Sequence, residues 1–157
     1  MQLRTTGKVA FPDSKFKGEK MFENKLVAVM NGKIETGIIM NALAHMCIGF
    51  GAEIGKEALR LTNYIDADEN KHPHISEMPF IILKAKNSNK ISALRTSASE
   101  MGIQFVDFTD TMTIGTYKEQ LERTKVTKEI DLVYYGIVLF GDWEKVSELT
   151  KKFSLWK

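Results

Sequence analysis

The chain has 157 residues, enough for one ordinary domain, and 43% of them are hydrophobic against 27% charged, which excludes a largely disordered chain. The net charge of +2 is too small to point to nucleic acid by charge alone. The single cysteine, Cys47, cannot close an internal disulfide, and the first twenty residues lack the apolar stretch of a secretory signal, so a soluble cytoplasmic protein is expected.

Residues 1–24 are charged, with Phe11, Phe16 and Phe22 in no clear period; they read as an N-terminal arm ahead of a single α/β domain over residues 25–157. The run KLVAVM at 25–30, closed by Asn31-Gly32, predicts a buried strand and a turn. Thr36 offers an N-cap hydroxyl to a helix over 37–53, whose end Gly51 and Gly55 weaken. Ile38, Ala42, His45 and Gly49 share one face of that helix, with Asn41 beside it, and the small residues suit close packing on a sheet. The apolar run 38–50 is shorter than a membrane span.

Two short extended pieces follow around a polar turn, and MPFIILKA at 78–85 reads as a central strand. Residues 87–101 predict a helix capped by Asn or Ser and stopped by Gly102. A strand at 103–108, a threonine-rich loop, a turn or two of helix at 117–124, a strand at 131–141 and an amphipathic helix opened by Asp142 complete the chain. Strands alternating with helices imply an α/β sandwich with a mixed, mostly parallel sheet of about four strands, plus a small hairpin.

Four features invite chemistry. Thr36-Gly37 opens a helix after a strand, where free N–H groups favour an anion, although no Gly-rich fingerprint accompanies it. His45 is either a core histidine satisfied by a carbonyl or an acid–base group, and Asn41 one turn earlier would orient it or a ligand. Asp107 ends a strand where α/β sheets collect ligands, and Thr109, Asp110, Thr111, Thr113 and Thr116 follow; these hydroxyls either line a site or bond their own backbone. Asp66, Asp68, Asn70 and Glu77 match a calcium-loop spacing, but Lys71 stands where the turn needs glycine, and His72 and His74 have no cysteine to support zinc. A solvated hairpin turn is the preferred reading, and no metal or cofactor is expected. Cys47 reads as a buried small hydrophobe, and Lys151, Lys152, Lys157 and Trp156 as a solvated helix end.

The run from Lys25 to Lys157, above all YIDADENKHPHISEMPFIILKA and VDFTDTM, resembles the bacterial family known as domain of unknown function 2000. Its pattern is in turn similar to type II peptidyl-tRNA hydrolases, which implies a three-layer α/β/α fold and a homodimer. On that resemblance Gly37 and His45 match the glycine and histidine of the first helix, Asp107 and Thr111 the aspartate and threonine of the later loop, Gly115-Thr116 its closing pair, and Gly141 the glycine ending the last strand. The hydrolase lysine is replaced by Ile38 and the helix glutamine by Ala42, which removes a phosphate contact and a carbonyl contact.

The expected function is therefore binding of a small molecule or peptide in a cleft between the Gly37 helix start and the loop from Asp107 to Thr116. His45, Asp107 and Thr111 would form its polar centre, and Thr36, Gly37, Asn41, Thr109, Gly115 and Thr116 would contact the ligand. The alternative is a hydrolase of an ester or amide bond. For it, near-neutral charge argues against a tRNA substrate.

Overall fold

The computed structural model describes residues 22–157. Residues 1–21 of the expected arm lie outside the described residues. Residues 22–24 belong to the fold: the Phe22 ring lies 4.8 Å from the Arg60 guanidinium, and the Glu23 carbonyl accepts the Trp143 amide at 2.9 Å.

In chain order the elements are β1 (Asn24–Asn31), α1 (Thr36–Ile54), β2 (Leu61–Ile65), β3 (Lys71–Ser76), β4 (Phe80–Ala85), α2 (Ser88–Glu100), β5 (Gln104–Thr109), α3 (Tyr117–Val126), β6 (Tyr134–Asp142), α4 (Trp143–Thr150) and β7 (Ser154–Leu155). Short 3-10 turns at Asp110–Met112 and Glu129–Asp131 flank α3. The predicted caps of α2 and α4 are present: the Asn87 side chain accepts the Lys90 amide, and Asp142 accepts that of Lys145. Thr36 is not the cap of α1. Glu35 holds that position in extended backbone and supplies no side-chain hydrogen bond.

The main sheet has five strands in the order β5-β6-β1-β4-β7, with β2-β3 as a separate two-stranded sheet. It is mixed, but the mostly parallel expectation fails. Only β1 and β4 pair in parallel; β1-β6, β5-β6 and β4-β7 are antiparallel. The reason is α3, which does not carry the chain across the sheet. It has no buried residue and packs on the turn after β5, so the chain returns beside β5 and enters β6 between β5 and β1. The fifth strand is β7. The expected solvated tail instead pairs Leu155 with Leu83, donates the Trp156 amide to Ile82 O at 3.0 Å, and covers the free edge of β4.

Both faces of the sheet carry helices. Leu26, Ala28, Met30, Val138 and Phe140 meet Ile39, Ala42, Met46 and Phe50 of α1 on one face. Val27, Val29, Ile137 and Leu139 meet Ile91, Leu94 and Ala98 of α2 and Val146 of α4 on the other. Because β1 is covered on both sides, all of Val27, Ala28, Val29 and Met30 are fully buried, which explains its continuous apolar run. Gly136 leaves room for the buried Met30 side chain of β1, since a Cβ there would come within 2.5 Å of its sulfur and 3.1 Å of Met46 Cε on α1.

Candidate functional site

β1, β4 and β5 run in the same direction, so Asn31, Ala85 and Thr109 lie at one end of the sheet. The turn from β1 into α1 is clamped there. Buried Asn31 donates through Nδ2 to Tyr134 O at 2.9 Å and accepts the Lys33 amide through Oδ1 at 2.9 Å, while Gly32 N donates to Ala85 O at 2.9 Å. In the sequence Asn31 reads as half of a turn signal; an amide directly closing a continuous apolar strand is the available clue to its role.

The expected polar centre is divided by the sheet. Successive side chains of β5 point to opposite faces. Phe108 enters the α1-side core, and the exposed His45 ring stacks on it at 6.1 Å between centroids; Tyr135 lies 6.2 Å beyond Phe108. Asp107 projects to the α2 side, where its Oδ2 accepts Arg95 Nε at 2.6 Å. Arg95 also reaches Glu129 at 3.3 Å and lies 5.3 Å from the Phe105 ring centroid. The hydrogen bond to Asp107 holds the Arg95 guanidinium further toward its charged form, and burial pushes the Tyr134 phenol beside this cluster upward. The structure therefore does not bring His45 and Asp107 together.

The threonine loop is satisfied within itself. Thr109 and Thr111 hydroxyls are 2.8 Å apart and buried, and Thr124 donates to Thr111 at 2.8 Å. Arg123 donates to the carbonyls of Thr111 and Ile114, Thr113 donates to Asp110 O, and Asp110 accepts the Val133 amide. Thr116 and Glu119 form a reciprocal capping box at the start of α3. Gly115 turns into it with φ +87°, where a Cβ would lie 2.6 Å from Glu119 Oε2. Thr109, Thr111, Gly115 and Thr116 thus build the loop and the α3 start.

Thr36, Gly37, Asn41 and His45 are exposed on α1. The sheet-facing residues are Ile39, Ala42, Met46 and Phe50: of the face expected to hold Ile38, Ala42, His45 and Gly49, only Ala42 is among them, and the other three lie one position away. That leaves Ile38, Met40 and Ile48 outside, the last at 74% exposure. No Asp, Glu, Lys or Arg occurs in residues 36–52. By length and composition alone α1 is apolar enough to cross a membrane, but its inner stripe is committed to the sheet.

The hairpin turn is organised by Asp66, which accepts the Asp68 and Asn70 amides, the Asn70 side chain and the His72 ring. Those bonds lower the Asp66 carboxyl, led by Asn70 and then His72. Among the described residues no group of three or more His, Cys, Asp or Glu is placed to hold a metal. Cys47 is half-buried beside an apolar pocket that also touches Leu26, Phe50 and Val138, and burial pushes its thiol upward.

These features define a mixed α/β domain whose first helix carries no charged residue from Thr36 to Ala52, even on its outer face. Residues 24–157 match the family described as protein of unknown function (DUF2000), and the chain belongs to it. Its structure is similar to that of a protein of unknown function from Agrobacterium tumefaciens str. C58, with TM-score 0.75 at 17% identity over 87% of this chain and 100% of that one. No curated protein matches the chain.

Proposed function

We propose that this protein acts by binding, and that its working surface is the outer face of α1, running from Gly37 through Asn41, Ala44 and His45 to Ile48 and Ala52. The observation that carries this reading is the missing charge. A surface helix ordinarily puts charged residues on its solvent side, yet residues 36–52 have none in a chain that is 27% charged. Glycine and alanine on this face permit close approach, and Asn41 and His45, the latter stacked on Phe108, add hydrogen-bonding groups. The occupant is a polypeptide surface of the same character, a second copy of this chain. An uncharged helix face is self-complementary about a twofold axis. Antiparallel pairing would also set Lys33 and Glu35 near Glu53 and Lys56, so both signs meet at each end.

The helices on both sheet faces support the three-layer α/β/α reading and its similarity to type II peptidyl-tRNA hydrolases. The site supports a hydrolase less well. His45 has no carboxylate from β5, the loop hydroxyls have internal partners, and Ile38 replaces the lysine that would meet phosphate.

Sedimentation equilibrium at micromolar concentration tests the proposal with Ala44→Arg and Ile48→Lys, both at exposed positions. The wild type is expected to be a dimer, and the variants folded monomers by circular dichroism. A monomeric wild type, or a dimer that both variants leave intact, overturns the reading. Cosedimentation of a monomeric wild type with phosphatidylcholine vesicles would make the same face a membrane surface instead.

A further inference from the structure

On the opposite side of the molecule, a groove of 560 Å³ runs between α2 and the end of α4. Its volume lies in the range of small-molecule sites. Leu94 of α2 and Leu149 and Phe153 of the α4 end give it an apolar floor, and Ser97 and Ser154 border it. Among the described residues its charged lining consists of lysines alone: Lys84, Lys86, Lys90 and Lys152, with no aspartate or glutamate. The Lys84 ammonium is engaged 4.7 Å from the Trp156 ring centroid. Lys86, Lys90 and Lys152 take part in none of the ion pairs found among the described residues, although acids are nearly as numerous as bases in the chain.

Helix stability accounts for Lys152, just past the C-terminus of α4, but not for the other two. Lys86 and Lys90 bracket the start of α2, where the helix dipole favours acids, and the first turn of α2 has none. Three ammonium groups around an apolar trough are a local conflict that an anionic occupant would resolve.

From this charge and shape we infer that the groove binds a small amphipathic phosphate ester. Its apolar body lies on Leu94, Leu149 and Phe153, and its phosphate sits among Lys86, Lys90 and Lys152. A phosphate monoester carries close to two negative charges near neutral pH, a better match to three lysines than a single carboxylate. This site is separate from the α1 face, and its occupation does not depend on the dimer proposed above.

Isothermal titration calorimetry with n-hexyl phosphate, 1-hexanol and inorganic phosphate, each against the full chain, tests the inference. Hexyl phosphate is expected to saturate at one per chain, with amide shifts at Ser97 and Phe153 in NMR spectra, and to bind at least tenfold more tightly than either fragment. The double variant K90Q/K152Q, at exposed positions, should weaken it tenfold or more while leaving the NMR spectrum of the β1-β6 core unchanged. No saturable binding of hexyl phosphate, equal binding of hexanol, or binding unaffected by the double variant overturns the inference. Binding to phosphatidylglycerol vesicles without binding of the soluble ester overturns it in favour of a membrane headgroup.

Discussion

Arg95 Nε and Asp107 Oδ2, 2.6 Å apart, tie α2 to β5 on the face of the sheet that His45 does not reach. Asp107 is the more buried partner, with its side chain 17% exposed against 35% for Arg95. Arg95→Met leaves that carboxylate without its cation and should cost about 1–3 kcal/mol, reduced from the fully buried case by solvent screening. Asp107→Asn should cost less, because Arg95 keeps Glu129 and water. Urea denaturation of both single variants and the double variant checks the order. A larger loss for Asp107→Asn would contradict this asymmetry.

The two sides of α1 should respond oppositely to truncation. Met46 is 2% exposed against the sheet, so Met46→Ala should cost about 2–5 kcal/mol. Ile48→Ala, on the outer face, should change the stability of the isolated chain by no more than about 0.5 kcal/mol. A Cβ at Gly49 meets nothing within 4 Å, so Gly49→Ala should stabilise the chain by about 0.5–1 kcal/mol through helix propensity. Thermal melts in dilute solution, below any association, measure all three.

At the start of α3, Gly115→Ala places a side chain at φ +87° and against Glu119 Oε2. It should cost about 1–2 kcal/mol from the backbone conformation and the disturbed cap. Thr116→Ala removes the hydroxyl half of the capping box and should cost about 1 kcal/mol. Amide hydrogen exchange should rise first in Tyr117–Val126, because α3 buries no residue that would hold it otherwise.

Acid should loosen the hairpin before the core. The Asp66 carboxyl is lowered in the folded turn, so its contribution is present above the ordinary carboxylate range. It is lost as the pH falls below about 4 and through the depressed folded value. Amide exchange and chemical shifts of β2 and β3 between about pH 5 and pH 2 should show it, and Asp66→Ala should abolish the step.

Cys47 has the opposite sign. Burial raises its thiol, so that contribution is fully present below the ordinary thiol range and lost as the pH rises through the folded value. Its reaction with a thiol reagent near neutral pH should be slow compared with the unfolded chain.

The elements were legible in the chain because their local rules are strong. β-branched runs mark β1 and β6, Asn87 and Asp142 cap α2 and α4, and Gly102 stops α2. Strand direction was not legible, because a strand buried on both faces carries the same apolar run whichever way it points. The side to which Asp107 turns was hidden for the same reason: with helices on both faces, alternation along β5 does not say which face is which. The outer position of His45 was not legible because residues 36–52 of α1 hold no charge to mark the solvent side, and the buried stripe lies one position away. The threonine loop allowed both a site and a self-bonded turn, and only the positions of Arg123, Thr124 and Glu119 distinguish them.

The central strand has consequences for how the chain reaches this fold. Leu26 of β1 pairs with Phe80 on one side and Phe140 on the other, so neither half of the sequence contains a complete sheet. Such distant pairings must close long loops before they gain anything, which slows folding relative to topologies built on local contacts. Until β6 pairs with it, β1 keeps one edge without a partner, and such an edge is open to misassociation.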